Sequence, residues 1–103
     1  MSKKGQDSLI LEDSNFFALY GAAPVSPGHA IIMPKNHVVS FFDLAPELVG
    51  PLHIFLSKVK ARIEKDHKPD AYNVGVNNGI AAGRSVHHLH IHLIPRYEGD
   101  VDN

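Results

Sequence analysis

Apolar residues in this chain fall mostly into short runs divided by turn formers, and only once at the spacing of a helix. Residues 8–12 and 15–20 read as two short strands joined by the turn residues Asp13 and Ser14. Gly21, Pro24, Pro27 and Gly28 then make a loop, and 29–33 is a compact apolar strand that Pro34 should stop. Residues 38–42 form a weaker strand or an extended connector. Leu48, Leu52, Phe55, Val59 and Ile63 recur at intervals of four and three, which predicts one helix with a single buried stripe. Pro46 suits a first helical position, whereas Gly50-Pro51 should kink or restart the helix, because proline lacks the N–H. After a polar exit at 66–70, a strand is expected at 71–76, a Gly-rich loop at 77–84, and a last strand at 85–94 ending at Pro95. Strands, one helix and strands again, with hairpin-length connections, predict an α+β fold with an antiparallel sheet.

A chain of 103 residues has room for one hydrophobic core, so 1–103 is read as a single domain with frayed ends at 1–7 and 97–103. An apolar share of 44% and a charged share of 20% are ordinary for a soluble protein. The formal charge of −1 gives no general attraction to nucleic acid or to an anionic membrane, so any anion site must be local. With no cysteine there is no disulfide and no thiolate metal site. The polar start, Met1 to Asp7, is unlike a signal peptide, and the longest mostly apolar stretch is broken by Gly21 and Pro24. A cytoplasmic location is the resulting expectation.

The unusual feature is histidine. Four of the eight histidines lie between Val86 and Leu93. On a strand, His88, His90 and His92 share one face and Leu89, Ile91 and Leu93 the other. The leucine–isoleucine face belongs in the core, which leaves three imidazoles in a row about 7 Å apart. Parity puts His87 on the apolar side, as a structural residue. Strand propensity alone gives no reason to place histidine three times on one face. Imidazole serves as a nucleophile, as a proton donor or acceptor near neutral pH, or as a metal ligand. Three of them could also hold a phosphate, and the backbone amides of the Gly-rich loop could approach the same anion. His37, His53 and His67, lying outside this cluster, read as polar surface residues.

The run His88-Leu89-His90-Ile91-His92-Leu93-Ile94 resembles the motif His-φ-His-φ-His-φ-φ, with φ apolar, of the histidine-triad (HIT) family. The segment from Pro27 to His37 resembles that family's upstream block, and the one from Asn77 to Ser85 resembles the loop before its triad. The resemblance implies a HIT-like fold: a five-stranded antiparallel sheet, one main helix and a short second helical turn, with two copies joining their sheets into one. It also implies hydrolysis or nucleotidyl transfer at the α-phosphate of a nucleotide-like substrate. Phosphoramidates, dinucleoside polyphosphates and acyl-nucleotides all fit, with no cofactor and no metal.

By the same resemblance His90 is the nucleophile, flanked by His88 and His92, and His29 adds a fourth imidazole. Ser85 and Asn77 match positions that bind phosphate or pass a proton, beside Gly83 and Arg84, and Phe17, Leu19 and Ile31 would line a nucleobase pocket. Two positions depart from the family pattern. Gly21 stands where an aspartate usually meets the ribose hydroxyls, and Arg84 stands where glutamine is usual, adding a fixed cation near the phosphates. Two rival readings use the same residues: a nucleotide or phosphate sensor, and a histidine-ligated metal protein. Against the metal protein, no Asp or Glu neighbours the triad in sequence.

Overall fold

A computed structural model describes residues 8–84 and 86–100. The elements run β1 (Leu9–Glu12), β2 (Phe16–Tyr20), β3 (Ala30–Pro34), α1 (Val49–Asp66), β4 (Ala71–Gly75) and β5 (Ile91–Arg96). All pairings are antiparallel, in the order β1-β2-β3-β5-β4. This is the expected α+β architecture, a five-stranded antiparallel sheet with one main helix. The short second helical turn is present as lone 3-10 turns at Phe41–Asp43, Pro46–Leu48 and Ile80–Ala82.

Alternation along the strands gives the sheet one core face and one open face. Phe16 and Ala18 of β2, Ala30 and Ile32 of β3, and Ile91 and Leu93 of β5 are buried. Against them lies the helix stripe of Leu52, Phe55, Val59 and Ile63, all buried, with Leu48 partly buried at its start. Phe55 and Phe16 meet with ring centroids 5.7 Å apart. The intervening residues Phe17, Leu19, Ile31 and His92 are half-buried on the open face. The register sets Leu19 opposite Ile31, Ile31 opposite His92 and His92 opposite Gly75, so one row crosses four strands. Gly75, at the edge end of that row, leaves open space beside His92.

Several sequence expectations are corrected. The restart expected at Gly50-Pro51 falls just before it, with a 3-10 turn at Pro46–Leu48 and α1 from Val49, so that Pro51 lies in the first turn of α1, where the missing N–H has no intrahelical acceptor. Of the two alternatives for residues 38–42, the connector holds, entering the 3-10 turn at Phe41, whose first turn Ser40 caps by accepting from the Phe42 N–H. Pro34 and Pro95 lie inside β3 and β5 rather than beyond them. The Pro34 carbonyl takes the His88 ring, and the Pro95 carbonyl takes the Ser26 hydroxyl, so neither faces its strand partner. In an antiparallel strand the N–H of a residue points the same way as its C=O, so neither proline costs a ladder bond. Tyr97, expected in a frayed tail, donates its hydroxyl to the Pro27 carbonyl at 2.7 Å.

Phe55 carries the contact that joins helix to sheet. Phe55→Ala is expected to lower unfolding free energy in urea by about 3–5 kcal/mol, from lost burial plus the cavity left behind. Ile54→Ala, on the exposed side of the same helix, should change it by less than about 0.5 kcal/mol. Equal losses would mean that the helix is not held by this stripe.

Candidate active site

The histidine segment is only half a strand. Sequence parity predicts a strand from 85 to 94, but β5 begins at Ile91, after a bend that includes His87 and His88. The β3–β5 pairing stops at Ile32–Ile91 although β3 itself runs on to Pro34, so the residues before Ile91 have no ladder partner. They are held instead by the connector after β3: the Leu89 N–H donates to the Val38 carbonyl at 2.7 Å, and Leu89 is buried. His87 is therefore exposed rather than turned into the core. The triad rings still form a row, with centroids 6.5 Å apart from His88 to His90 and 6.4 Å from His90 to His92. The row extends further than sequence suggested, since the His37 ring lies 5.5 Å from that of His88.

Hydrogen bonds assign the ring nitrogens. His90 Nδ1 is 2.6 Å from the His88 carbonyl oxygen. A carbonyl only accepts, so Nδ1 carries the hydrogen, and in the neutral ring Nε2 keeps its lone pair. His88 likewise donates from Nε2 to the Pro34 carbonyl at 2.9 Å. His29 is polarised from its other side, because the Val25 N–H donates to Nδ1 at 3.1 Å. Its hydrogen is therefore on Nε2, which donates to His92 Nδ1 at 3.0 Å. That bond leaves the hydrogen of neutral His92 on Nε2. His90 thus offers an unprotonated Nε2, and its near-parallel neighbour His92 offers a protonated one.

A cavity of about 190 Å³ opens over these rings, lined by His90, His92, Asn77, Gly83, Arg84 and Ile31, with Val86 completing the wall. A second, of about 220 Å³, adjoins it through Asn77 and His92 and reaches His29 and Asn73. Of the expected residues, His90, His92, Asn77, Gly83, Arg84 and Ile31 come together in the first cavity, and His29 stands behind His92. His88 does not line either cavity; its ring is committed to Pro34, and its contribution is the carbonyl that His90 uses. Phe17 and Leu19 lie on the open face of the sheet but line neither cavity. Ser85 falls outside the described residues.

The expectation that loop amides cradle an anion is narrowed. The N–H groups of Ala82 and Arg84 both donate to the Gly79 carbonyl, and that of Gly83 to the Ile80 carbonyl, closing a turn on Gly79 and Gly83 at positive φ. Those three amides are spent within the loop. Sequence reading also missed Asn78, whose side chain accepts from the Phe41 N–H at 2.7 Å and donates to the Ser40 hydroxyl, pinning the loop to the connector after β3. Alone, Asn77-Asn78-Gly79 signals only a turn.

The HIT domain matches residues 2–99 of the chain. The chain belongs to the histidine-triad family. Among curated relatives of this HIT protein, an HIT-like protein of Methanocaldococcus jannaschii is 37% identical over 89% of the chain and 70% of its own length. The asymmetrical bis(5′-nucleosyl)-tetraphosphatase of Schizosaccharomyces pombe is 36% identical over 81% of the chain, and an adenylylsulfatase of Arabidopsis thaliana 35% identical over 88%. The chain spans 46% of the length of each of these two nucleotide hydrolases. A crystal structure of a HIT family protein from Bacillus anthracis superposes with a TM-score of 0.83 at 34% identity, covering 90% of this chain and 66% of the other. A zinc-bound histidine-triad protein from Mycobacterium smegmatis gives 0.79 at 34% identity, covering 89% and 67%.

In this HIT protein no group of three or more His, Cys, Asp or Glu among the described residues is arranged to hold a metal ion. The electrostatics of the site also favour neutral rings. Burial, then the neighbouring His92, pushes the His29 pKa below the usual imidazole value. Burial, then His90, does the same to His92. No described helix is long and apolar enough to cross a membrane.

Both depressed values tie stability to pH. The unfolded chain takes up protons at these histidines near an ordinary pKa of about 6.5, while the folded chain resists until lower pH. Their contribution is therefore complete above that pH and is lost as pH falls through the depressed folded values. The urea midpoint should fall between pH 7.5 and pH 5, and His29→Asn should make that fall shallower. A midpoint equally pH-dependent in both proteins would contradict the assignment.

Proposed function

We propose that this HIT domain acts at the α-phosphate of a nucleotide, as a hydrolase or nucleotidyl transferase working through a covalent nucleotidyl-histidine on His90. The observation that carries this reading is the 2.6 Å bond from His90 Nδ1–H to the His88 carbonyl, in a ring that lines a cavity. It leaves the Nε2 lone pair unprotonated where a phosphoryl group fits. Substrates of this reaction are phosphoramidates or dinucleoside polyphosphates, and the tetraphosphatase and adenylylsulfatase relatives support a nucleotide as the transferred group.

In the first step His90 Nε2 attacks the α-phosphorus. A P–N bond forms, and the bond to the leaving group breaks with its electron pair going to that group. His92, with its hydrogen on Nε2, donates to a phosphate oxygen and offsets charge that grows as the phosphorus becomes five-coordinate. His29 holds His92 in that tautomer. In the second step water attacks the same phosphorus, the P–N bond breaks with its electrons returning to Nε2, and the proton that the water sheds passes to solvent. Two lower barriers replace one high one. Asn77 contacts the phosphate, and Ser85, by family position, passes a proton to the leaving group.

His90→Ala should lower kcat/KM by at least about a thousandfold on any substrate the protein turns over. Mass spectrometry of acid-free, rapidly quenched protein should find one nucleotidyl group, on His90. Retained activity in His90→Ala together with its loss in His92→Ala would move the nucleophile to His92.

We also propose that two copies pair through β4. This edge strand is exposed along most of its length, and Val74 and Val49 border an apolar cleft with Phe41, Leu56 and Val76. An unpaired apolar edge invites another strand, and sheet continuation across a two-fold axis satisfies it. Light scattering should give a dimer at micromolar concentration, and Val74→Lys should shift it toward monomer. A wild-type monomer under those conditions contradicts the proposal.

A further inference from the structure

We propose that Arg84 makes the site selective for substrates whose leaving group departs as an oxyanion, joined to the α-phosphate through an anhydride, over those that release an amine. The inference rests on the reading of His90 as nucleophile.

Three observations place a cation at the reaction without a counterion. Arg84 lines the cavity shared by His90 and His92, and among the described lining residues it alone carries a permanent charge and none is Asp or Glu. Its guanidinium forms no hydrogen bond or ion pair with a described residue, whereas Lys35, Lys60 and Arg96 are each paired with a carboxylate. Its main chain is nevertheless fixed, with the N–H bonded to the Gly79 carbonyl at 3.1 Å. The side chain is thus anchored at its root, half-buried, and free at its tip.

Nothing else in the described wall supplies this charge. The amides of residues 82–84 are occupied within the loop. His92 and His29, with pKa values pushed down by burial, remain neutral at pH 7. Gly21, near His29 and Ile31, contributes no carboxylate to offset the guanidinium.

The charge balance of the first step then decides the substrate. When His90 Nε2 attacks an anhydride, the P–O bond breaks and its electron pair stays on oxygen. The leaving phosphate or sulfate departs without needing a proton, and its growing negative charge is met by Arg84 in a partly desolvated cavity. When the bond broken is P–N, the nitrogen must gain a proton to leave. A fixed cation beside it opposes the ammonium character that develops. One side chain therefore favours the first class and disfavours the second.

The test is the ratio of kcat/KM for an anhydride to that for an amidate. Diadenosine tetraphosphate and adenylyl sulfate serve as anhydrides, and adenosine 5′-phosphoromorpholidate as the amidate. In wild type the ratio should exceed one and should decline as KCl is raised. In Arg84→Gln it should drop about ten- to a hundredfold, as for loss of charge-assisted bonds, and lose its salt dependence. Arg84→Lys should recover part of the drop, which a purely structural role in the loop would not produce. A drop in both anhydride arms supports selection of any oxyanion, and a drop in the tetraphosphate arm alone supports selection of phosphate. A ratio in Arg84→Gln within about threefold of wild type overturns the inference, as does a wild type that prefers the amidate; a His90 adduct formed in either case leaves the nucleophile assignment standing. Absence of any adduct and any turnover with all three substrates overturns both.

Discussion

The chemistry of the site depends on the hydrogen bond from the His90 ring to the carbonyl of His88, in its own chain. Imidazole is symmetrical enough in strength at its two nitrogens that something must decide which one keeps the lone pair. A backbone carbonyl does so without a charge and without a second ionisable group, and so leaves the lone pair of the neutral ring on Nε2. The carbonyl is itself held in place. The His88 ring is fastened to the Pro34 carbonyl, and the next residue, Leu89, is fastened by its N–H to Val38 while its side chain is buried. A proline at the end of β3 and a buried leucine thus set the direction in which His90 faces.

The second device is the relay Val25–His29–His92. A backbone N–H fixes the first ring, the first ring fixes the second, and burial keeps both neutral. Two neighbouring imidazoles thereby carry their hydrogens on opposite atoms, Nδ1 in His90 and Nε2 in His92. The sheet register brings this about, since Ile31 and His92 are paired and His29 immediately precedes β3. Fold stability and site polarity are linked through the same pair of buried rings.

Much of this is legible in the sequence, for reasons of period. The helix stripe and the alternating strands follow from hydrophobic spacing, and the triad and its flanking blocks carried the family resemblance. What failed were features set by long-range partners. Parity extended the last strand back to 85, because nothing local reveals that pairing with β3 stops at Ile32–Ile91. Pro34 and Pro95 read as stops, because the sequence does not say which way their carbonyls face. Glycines in 77–84 suggested free amides, whereas those of residues 82–84 fold back on Gly79 and Ile80. His88 matches His90 and His92 in type and phase, and the sequence does not show that its ring is tied to the Pro34 carbonyl, 54 residues away.

The most direct measurement is the tautomeric state of these rings, read by long-range proton–nitrogen NMR correlations at neutral pH with labelled histidine. His90 should be protonated at Nδ1 with a bare Nε2, and His29 and His92 should be protonated at Nε2 with accepting Nδ1 atoms. A His90 ring protonated at Nε2, with Nδ1 bare, would contradict this assignment.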